Sequence, residues 1–212
     1  MYTSIGVGDT NSPGMLLQYA TEGLAVPAQT SAALQAHSRA LAVLQNLAQR
    51  EEGLAIMLTI PAVLHAVGQA LQAAAEQADL PAAERKKVAL GALKVLTNST
   101  CDERGATVSA EQAASPFVRW MCAAVSDAGE VGGDSSTAQV CPDTAERCIH
   151  VLGNWAAHDA AWDSAAVAVA GAPSSVSSAL LALQRQVPGE EALQRKAGVV
   201  LQRLDCEEAP LA

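Results

Sequence analysis

Three asparagines, Asn46, Asn98 and Asn154, each close a near-copy of one seven-residue word: ALAVLQN at 40–46, ALKVLTN at 92–98 and CIHVLGN at 148–154. A fourth copy, AGVVLQR at 197–203, ends on Arg203 instead. An asparagine amide carries both an acceptor and donors. A buried amide needs partners, so its plainest role is to cap or tie a neighbouring loop. Counting back from this column, the position seven earlier holds Arg39, Gly91, Arg147 and Lys196. Lys94 and His150 stand four before Asn98 and Asn154, and Lys87 stands eleven before Asn98. Offsets of −11, −7, −4 and 0 share one helix face. Arg39, Lys87, Lys94, Arg147 and Lys196 therefore form either a row of cations lining a common surface or a solvated helix face with no ligand.

Other chemistry is poorly served. Cys141, Cys148, His150 and His158 are separated by six, one and seven residues, whereas zinc ligands pair at shorter, regular spacings, so no metal site is expected. No nucleophile motif surrounds any Cys, His or Asp, and GVGDTNSPG near the start lacks the preceding strand and following lysine of a phosphate loop. The chain is expected to be no enzyme and to need no cofactor. His37, His65, His150 and His158 fall in helical patterns as surface or satisfied core residues, and Trp120, Trp155 and Trp162 as core. With 13 basic and 22 acidic side chains the net charge is −9, which argues against nucleic acid.

The elements that position these residues are helices. Half of the 212 residues are hydrophobic, yet only six are aromatic and 45 are alanine. That composition favours closely packed helices over strands. Five cysteines without framework spacing point to free thiols in a reducing compartment, hence a cytoplasmic chain. The first basic residue is Arg39, so neither a secretory leader nor a transit peptide is expected. Two stretches, 53–75 and 164–184, lack charge over a membrane's width, but each is interrupted by proline and dotted with polar residues. Pairs of shorter core helices fit them better than membrane spans.

Aligning the four words gives a small column (Ala40, Ala92, Cys148, Ala197), an apolar column (Leu41, Leu93, Ile149, then Gly198), and two core columns. The core columns are Val43, Val95, Val151, Val200 and Leu44, Leu96, Leu152, Leu201. Column separations of 52, 56 and 49 residues mark a stacked repeat array. Eight of nine prolines fall where a helix would begin. The expected helices are 13–24 and 28–49, then 51–59, 61–78 and 81–99, then 102–112, 116–128 and 143–157, then 159–169, 173–186 and 189–205. These eleven helices group into repeats at about 12–49, 50–100, 101–158 and 159–205 of a single domain, 12–205. Residues 1–11 and 206–212 are expected to be tails, and the Gly/Ser/Asp-rich 126–142 a mobile loop.

A short helix, a proline-started helix, then a long helix ending in L-x-N resembles the armadillo repeat, with HEAT repeats as its near relatives. The matching pieces are GAP at 171–173, IPAVLHAV at 60–67 and the four words above. The resemblance implies an all-α, right-handed α-solenoid of one partial and three full repeats, whose third helices line a concave groove. It also implies that Asn46, Asn98 and Asn154 hold the main chain of an extended ligand. Import receptors of the family place Trp four residues before that Asn. Here Ala42, Lys94 and His150 stand there, which removes the slots that grip lysine stems and argues against nuclear-localisation signals. The function implied is a protein–protein scaffold or adaptor whose groove, with Arg39, Lys87, Lys94, Arg147, His150, Lys196 and Arg203 beside the asparagines, takes an acidic segment. A structural subunit of a cytoskeletal or ciliary assembly and an Hsp70 nucleotide-exchange cofactor are the alternatives.

Overall fold

In the computed structural model, residues 12–77, 79–112, 118, 120–125, 142–170, 175–186 and 191–208 are described. Among them every regular element is helical and no strand occurs. In chain order the helices are α1 (Pro13–Leu24), α2 (Ser31–Ala48), α3 (Glu51–Leu58), α4 (Pro61–Glu76), α5 (Ala82–Ser99) and α6 (Glu103–Gln112). Then come α7 (120–125), α8 (Pro142–Ala156), α9 (Asp159–Ala170), α10 (Ser175–Gln186) and α11 (Glu191–Glu208). The expected mobile loop falls, apart from Pro142, outside the described residues, as does the N-terminal tail.

Local chemistry explains most boundaries. Pro13 and Pro61 occupy the first helical turn, where an N–H would have no partner. Pro81 caps α5 and Pro142 opens α8. Pro27 does not start α2. Thr30 does, its hydroxyl accepting the Ala33 N–H at 3.2 Å, so the helix begins at Ser31, three residues later than expected. At the other end α11 continues to Glu208, where a tail from 206 was expected.

The long helices form a row: α2 packs on α5, α5 on α8 and α8 on α11. The shorter ones repeat the relation, with α1 on α4, α3 on α6 and α6 on α9. Each of these helices therefore meets the helix three places further along the chain. The small column supplies the close approach, since Ala40, Ala92, Cys148 and Ala197 are all buried. Leu44, Val95, Leu96, Val151, Leu152 and Val200 are buried between the helices, whereas Val43 and Leu201 are only half-buried. These two lie on the first and last helices of the row, each of which lacks a neighbour on one side. Trp155 is fully buried and its indole N–H donates to Ser109 Oγ at 2.7 Å, joining α8 to α6. Trp162 is buried and Trp120 half-buried against the same core.

No single helix among the described residues is long and apolar enough to cross a membrane. The apolar stretch around Pro61 is two helices, Glu51–Leu58 and Ala62–Glu76, bent by 90° to each other.

Each passage from a long helix to the next short one is a corner of two or three residues, and at two of the three a glycine stands at the crowded point. Gly53 and Gly105 stand seven residues after Asn46 and Asn98. A Cβ at Gly53 would lie inside the contact radius of the Leu47 carbonyl, and one at Gly105 inside that of the Ser99 carbonyl. At the third corner the same place holds Ala161, fully buried. Asp102 Oδ1 also accepts the Gly105 N–H at 2.7 Å, capping α6 at the crowded corner. Gly68, in contrast, has open space around it. Gly105→Ala should therefore destabilise the chain by about 1–3 kcal/mol through overpacking. Gly68→Ala should stabilise it by about 0.4–1 kcal/mol. Denaturant melts of the two variants give the comparison, and equal effects would refute the corner geometry.

Candidate functional site

The row of long helices has one face that packing leaves open. Positions −6, −5, −3 and −2 from the Asn/Arg column are largely buried, and positions −11, −7, −4 and 0 are not. Arg39, Asn46 and Lys87 are exposed, while Lys94, Asn98, Arg147, His150, Lys196 and Arg203 are half-buried. Asn154 departs from this pattern at 6% exposure.

Arg39 and Lys87 come together. With Gln35, Ser38 and Glu84 they line an open recess of about 220 Å³ between α2 and α5. Glu84 is fixed from the α2 side. Ser31 Oγ–H donates to its Oε2 at 2.5 Å and Gln35 Nε2–H to its Oε1 at 3.2 Å. Those two hydrogen bonds, helped by the charge of Lys87, hold the carboxyl below the usual carboxylate range. Neither Arg39 nor Lys87 forms a salt bridge among the described residues, and neither do Lys94 and Arg147. His150 lies 3.8 Å from Glu146 on its own helix.

Lys196 owes its position to a glycine. A Cβ on Gly153 would come within 2.6 Å of Lys196 Cβ, so the lysine stem crosses α8 where only a glycine leaves room. Partial burial lowers the pKa of its ammonium, Arg195 adding to the effect and nearby Cys101 opposing it. Cys101 is an exposed free thiol, whereas Cys122 and Cys148 are buried. Burial pushes the Cys122 thiol up to about 12 and raises that of Cys148 as well, so both stay protonated and unreactive at neutral pH. Of the four residues weighed as a metal cluster, Cys141 lies outside the described residues. Among those described, no group of three or more metal-binding side chains comes together.

The last column divides by use. Asn154 Nδ2–H donates to Thr100 Oγ1 at 2.7 Å, and Thr100 in turn donates to the Thr97 carbonyl at 3.2 Å. Thr100 lies two residues beyond Asn98, so the bond joins α8 to the C-terminus of α5. Arg203 reaches the equivalent place one long helix further along the row. Its Nε–H donates to the carbonyl of Ala156, two residues beyond Asn154, at 3.0 Å, and its guanidinium pairs with Asp159 at the start of α9. For Asn98 the equivalent partner would be Ala48, which has no hydroxyl, and for Asn46 no earlier long helix exists. Among the described residues neither of these two amides has a hydrogen-bond partner. Asn154 and Arg203, grouped with the groove residues by motif position, are thus placed as ties between helices.

Two features were not drawn from the sequence, although both were visible as offsets from the Asn column. One is the +2 position (Ala48, Thr100, Ala156) and the other the +7 position (Gly53, Gly105, Ala161). No family model matches this sequence, and neither does any curated protein.

The division predicts unequal effects for chemically identical changes. Asn154→Ala deprives Thr100 of a buried donor and should destabilise by about 1–3 kcal/mol. Asn46→Ala and Asn98→Ala should stay within about 0.5 kcal/mol of the parent. Chemical denaturation measures all three, and a large loss for Asn98→Ala would show it to be another tie.

Proposed function

We propose that this chain is a non-enzymatic protein–protein scaffold of the cytoplasm: an armadillo-like right-handed solenoid of about four repeats that binds an extended acidic segment along its row of long helices. The observation that carries the reading is the set of cations without a salt bridge among the described residues, Arg39, Lys87, Lys94 and Arg147, on the open face of successive helices in a chain of net charge −9. Acidic residues outnumber basic ones overall, so cations standing without salt bridges over α2 and α5, with Glu84 the acid of their recess, are a local excess of positive charge, while α8 adds Asp143 to the face. Such an excess steers and orients an anionic partner. Asn46 and Asn98, accessible and without partners, supply amides able to pair with a peptide unit of any sequence. Asn154 and Arg203 take no part in ligand binding in this reading.

A second reading, a structural subunit gripped on several faces, is favoured by a different observation. Tyr19 is 61% and Met15 50% exposed on α1, where the first repeat lacks one helix. Large apolar groups on an incomplete end of a stack suit a permanent contact.

Affinity purification with mass spectrometry supplies the partner, and its binding segment then separates the readings. Asn98→Ala should weaken that segment by about two- to tenfold, the worth of one net hydrogen bond, at unchanged melting temperature. Lys87→Glu combined with Lys94→Glu should weaken it more at low salt than at high salt, since exposed charges are screened beyond roughly 8 Å at physiological ionic strength. Unaltered binding by both variants, with loss on Tyr19→Glu, would replace the groove by the subunit reading.

A further inference from the structure

The recess between α2 and α5 holds three charges, but they do not cancel. Glu84 has both oxygens occupied by donors from α2, Ser31 at 2.5 Å and Gln35 at 3.2 Å. Each oxygen thus has one acceptor site engaged from α2, and Glu84 forms no salt bridge with the two cations that share the recess. Arg39 offers a planar fork of donors, Lys87 a point charge and Ser38 a hydroxyl. This donor set lacks an acceptor of negative charge. A recess of about 220 Å³ is smaller than the roughly 300–1,000 Å³ of drug-sized ligand sites, so it suits the head of one side chain. On α5, Lys87 stands two helical turns before Lys94 and three before Asn98, on the same open face.

We propose that this recess is an anion subsite, taking the carboxylate or phosphomonoester head of one side chain from the extended segment and thereby fixing where that segment begins. The inference rests on the groove reading above and adds the chemistry and place of its first anchor. Arg39 and Lys87 bind the head directly, with charge-assisted hydrogen bonds. Glu84 sets the strength: it repels the incoming anion, and the bonds from Ser31 and Gln35 hold it out of salt-bridge distance of Lys87. A basic side chain is the opposite expectation for a recess with a carboxylate, and substitution at Glu84 distinguishes the two by sign.

The test is a titration of the full chain, followed by backbone amide NMR, with three capped amino acids: N-acetylglutamate amide, N-acetylphosphoserine amide and N-acetylglutamine amide. Saturable shifts at Gln35, Ser38, Arg39 and Lys87 are expected with an anionic probe and not with the glutamine probe. Tighter binding of the phosphoserine or of the glutamate probe identifies which head the recess prefers. Arg39→Ala and Lys87→Ala should each abolish the shifts, and Lys87→Arg should retain them. Glu84→Gln removes one exposed like charge and should tighten binding by roughly 1.5- to fivefold. Ser31→Ala, which returns a lone pair to Glu84, should weaken it. No saturable shift, equal response to the glutamine probe, or weaker anion binding by Glu84→Gln would overturn the proposal. If the partner segment binds through Lys94 and Asn98 while the recess stays silent, this inference fails alone. If the recess binds anions but Lys87→Glu with Lys94→Glu and Asn98→Ala leave segment binding unchanged, the groove reading fails instead.

Discussion

The carbonyl oxygens of Leu47 and Ser99 lie so close to the following short helices that Gly53 and Gly105 leave no room for a side chain. At these two corners the long helix ends, and the next helix begins, within two or three residues with the backbone in that contact; the third corner is as short with Ala161 in the same place. A longer corner would let the short helix drift and change the angle at which the next long helix returns. With the corners fixed, α2, α5, α8 and α11 come back side by side at the spacing their small column permits. The Val and Leu columns then bury against one another without bulky aromatics. A chain with 45 alanines and six aromatic residues cannot fill wide gaps, so its stability depends on short distances.

This packing decides where charge can reside. The inner long helices, α5 and α8, have long neighbours on both sides and the end ones on one, and shorter helices pack behind the row, which leaves one strip open. Side chains at −11, −7, −4 and 0 fall on that strip by helical geometry alone. The strip of α2 and α5 carries Arg39, Lys87 and Lys94 with Asn46 and Asn98, and only Glu84 of opposite sign lines the recess there. Glu84 is restrained by α2. The charge pattern and the tie between the first two long helices are thus aspects of one arrangement, since the hydrogen bonds that join α2 to α5 also occupy the carboxylate.

Helix positions were largely legible because prolines and apolar columns agree at most boundaries. The start of α2 was misread because Pro27 was given the role that Thr30 performs. The four words also located the core columns, apart from the thinning of burial at Val43 and Leu201, which depends on what lies beyond the ends of the row. The motif that identified the Asn column was less informative about its use. An amide's role depends on what stands two residues beyond the previous column member, 54 residues away for Asn154 and Thr100. Nothing local to HVLGN distinguishes it from KVLTN in this respect. Arg203 was likewise grouped with the cations, because its bond to a carbonyl across the helix row depends on a contact between distant segments.

The column therefore contains two kinds of member, and the hydrogen-bond inventory explains why they do not mix. An amide Nδ2 held by Thr100 and buried at 6% exposure is a poor donor to a ligand, because moving it would leave a buried hydroxyl short of a partner. Asn98 faces no such competition, since Ala48 offers a methyl group where Thr100 offers an oxygen. Its half-buried amide keeps both donor and acceptor capacity on the open strip, one turn beyond Lys94. Within the Asn/Arg column the ties between helices fall in its later members, Asn154 and Arg203. The unpaired polar groups are concentrated toward the N-terminal half, around α2 and α5. A segment recognised along this face would therefore meet free amides and cations over the first two long helices, where the hydrogen bonds between the helices engage Glu84 and leave Asn46, Asn98, Arg39 and Lys87 uncommitted.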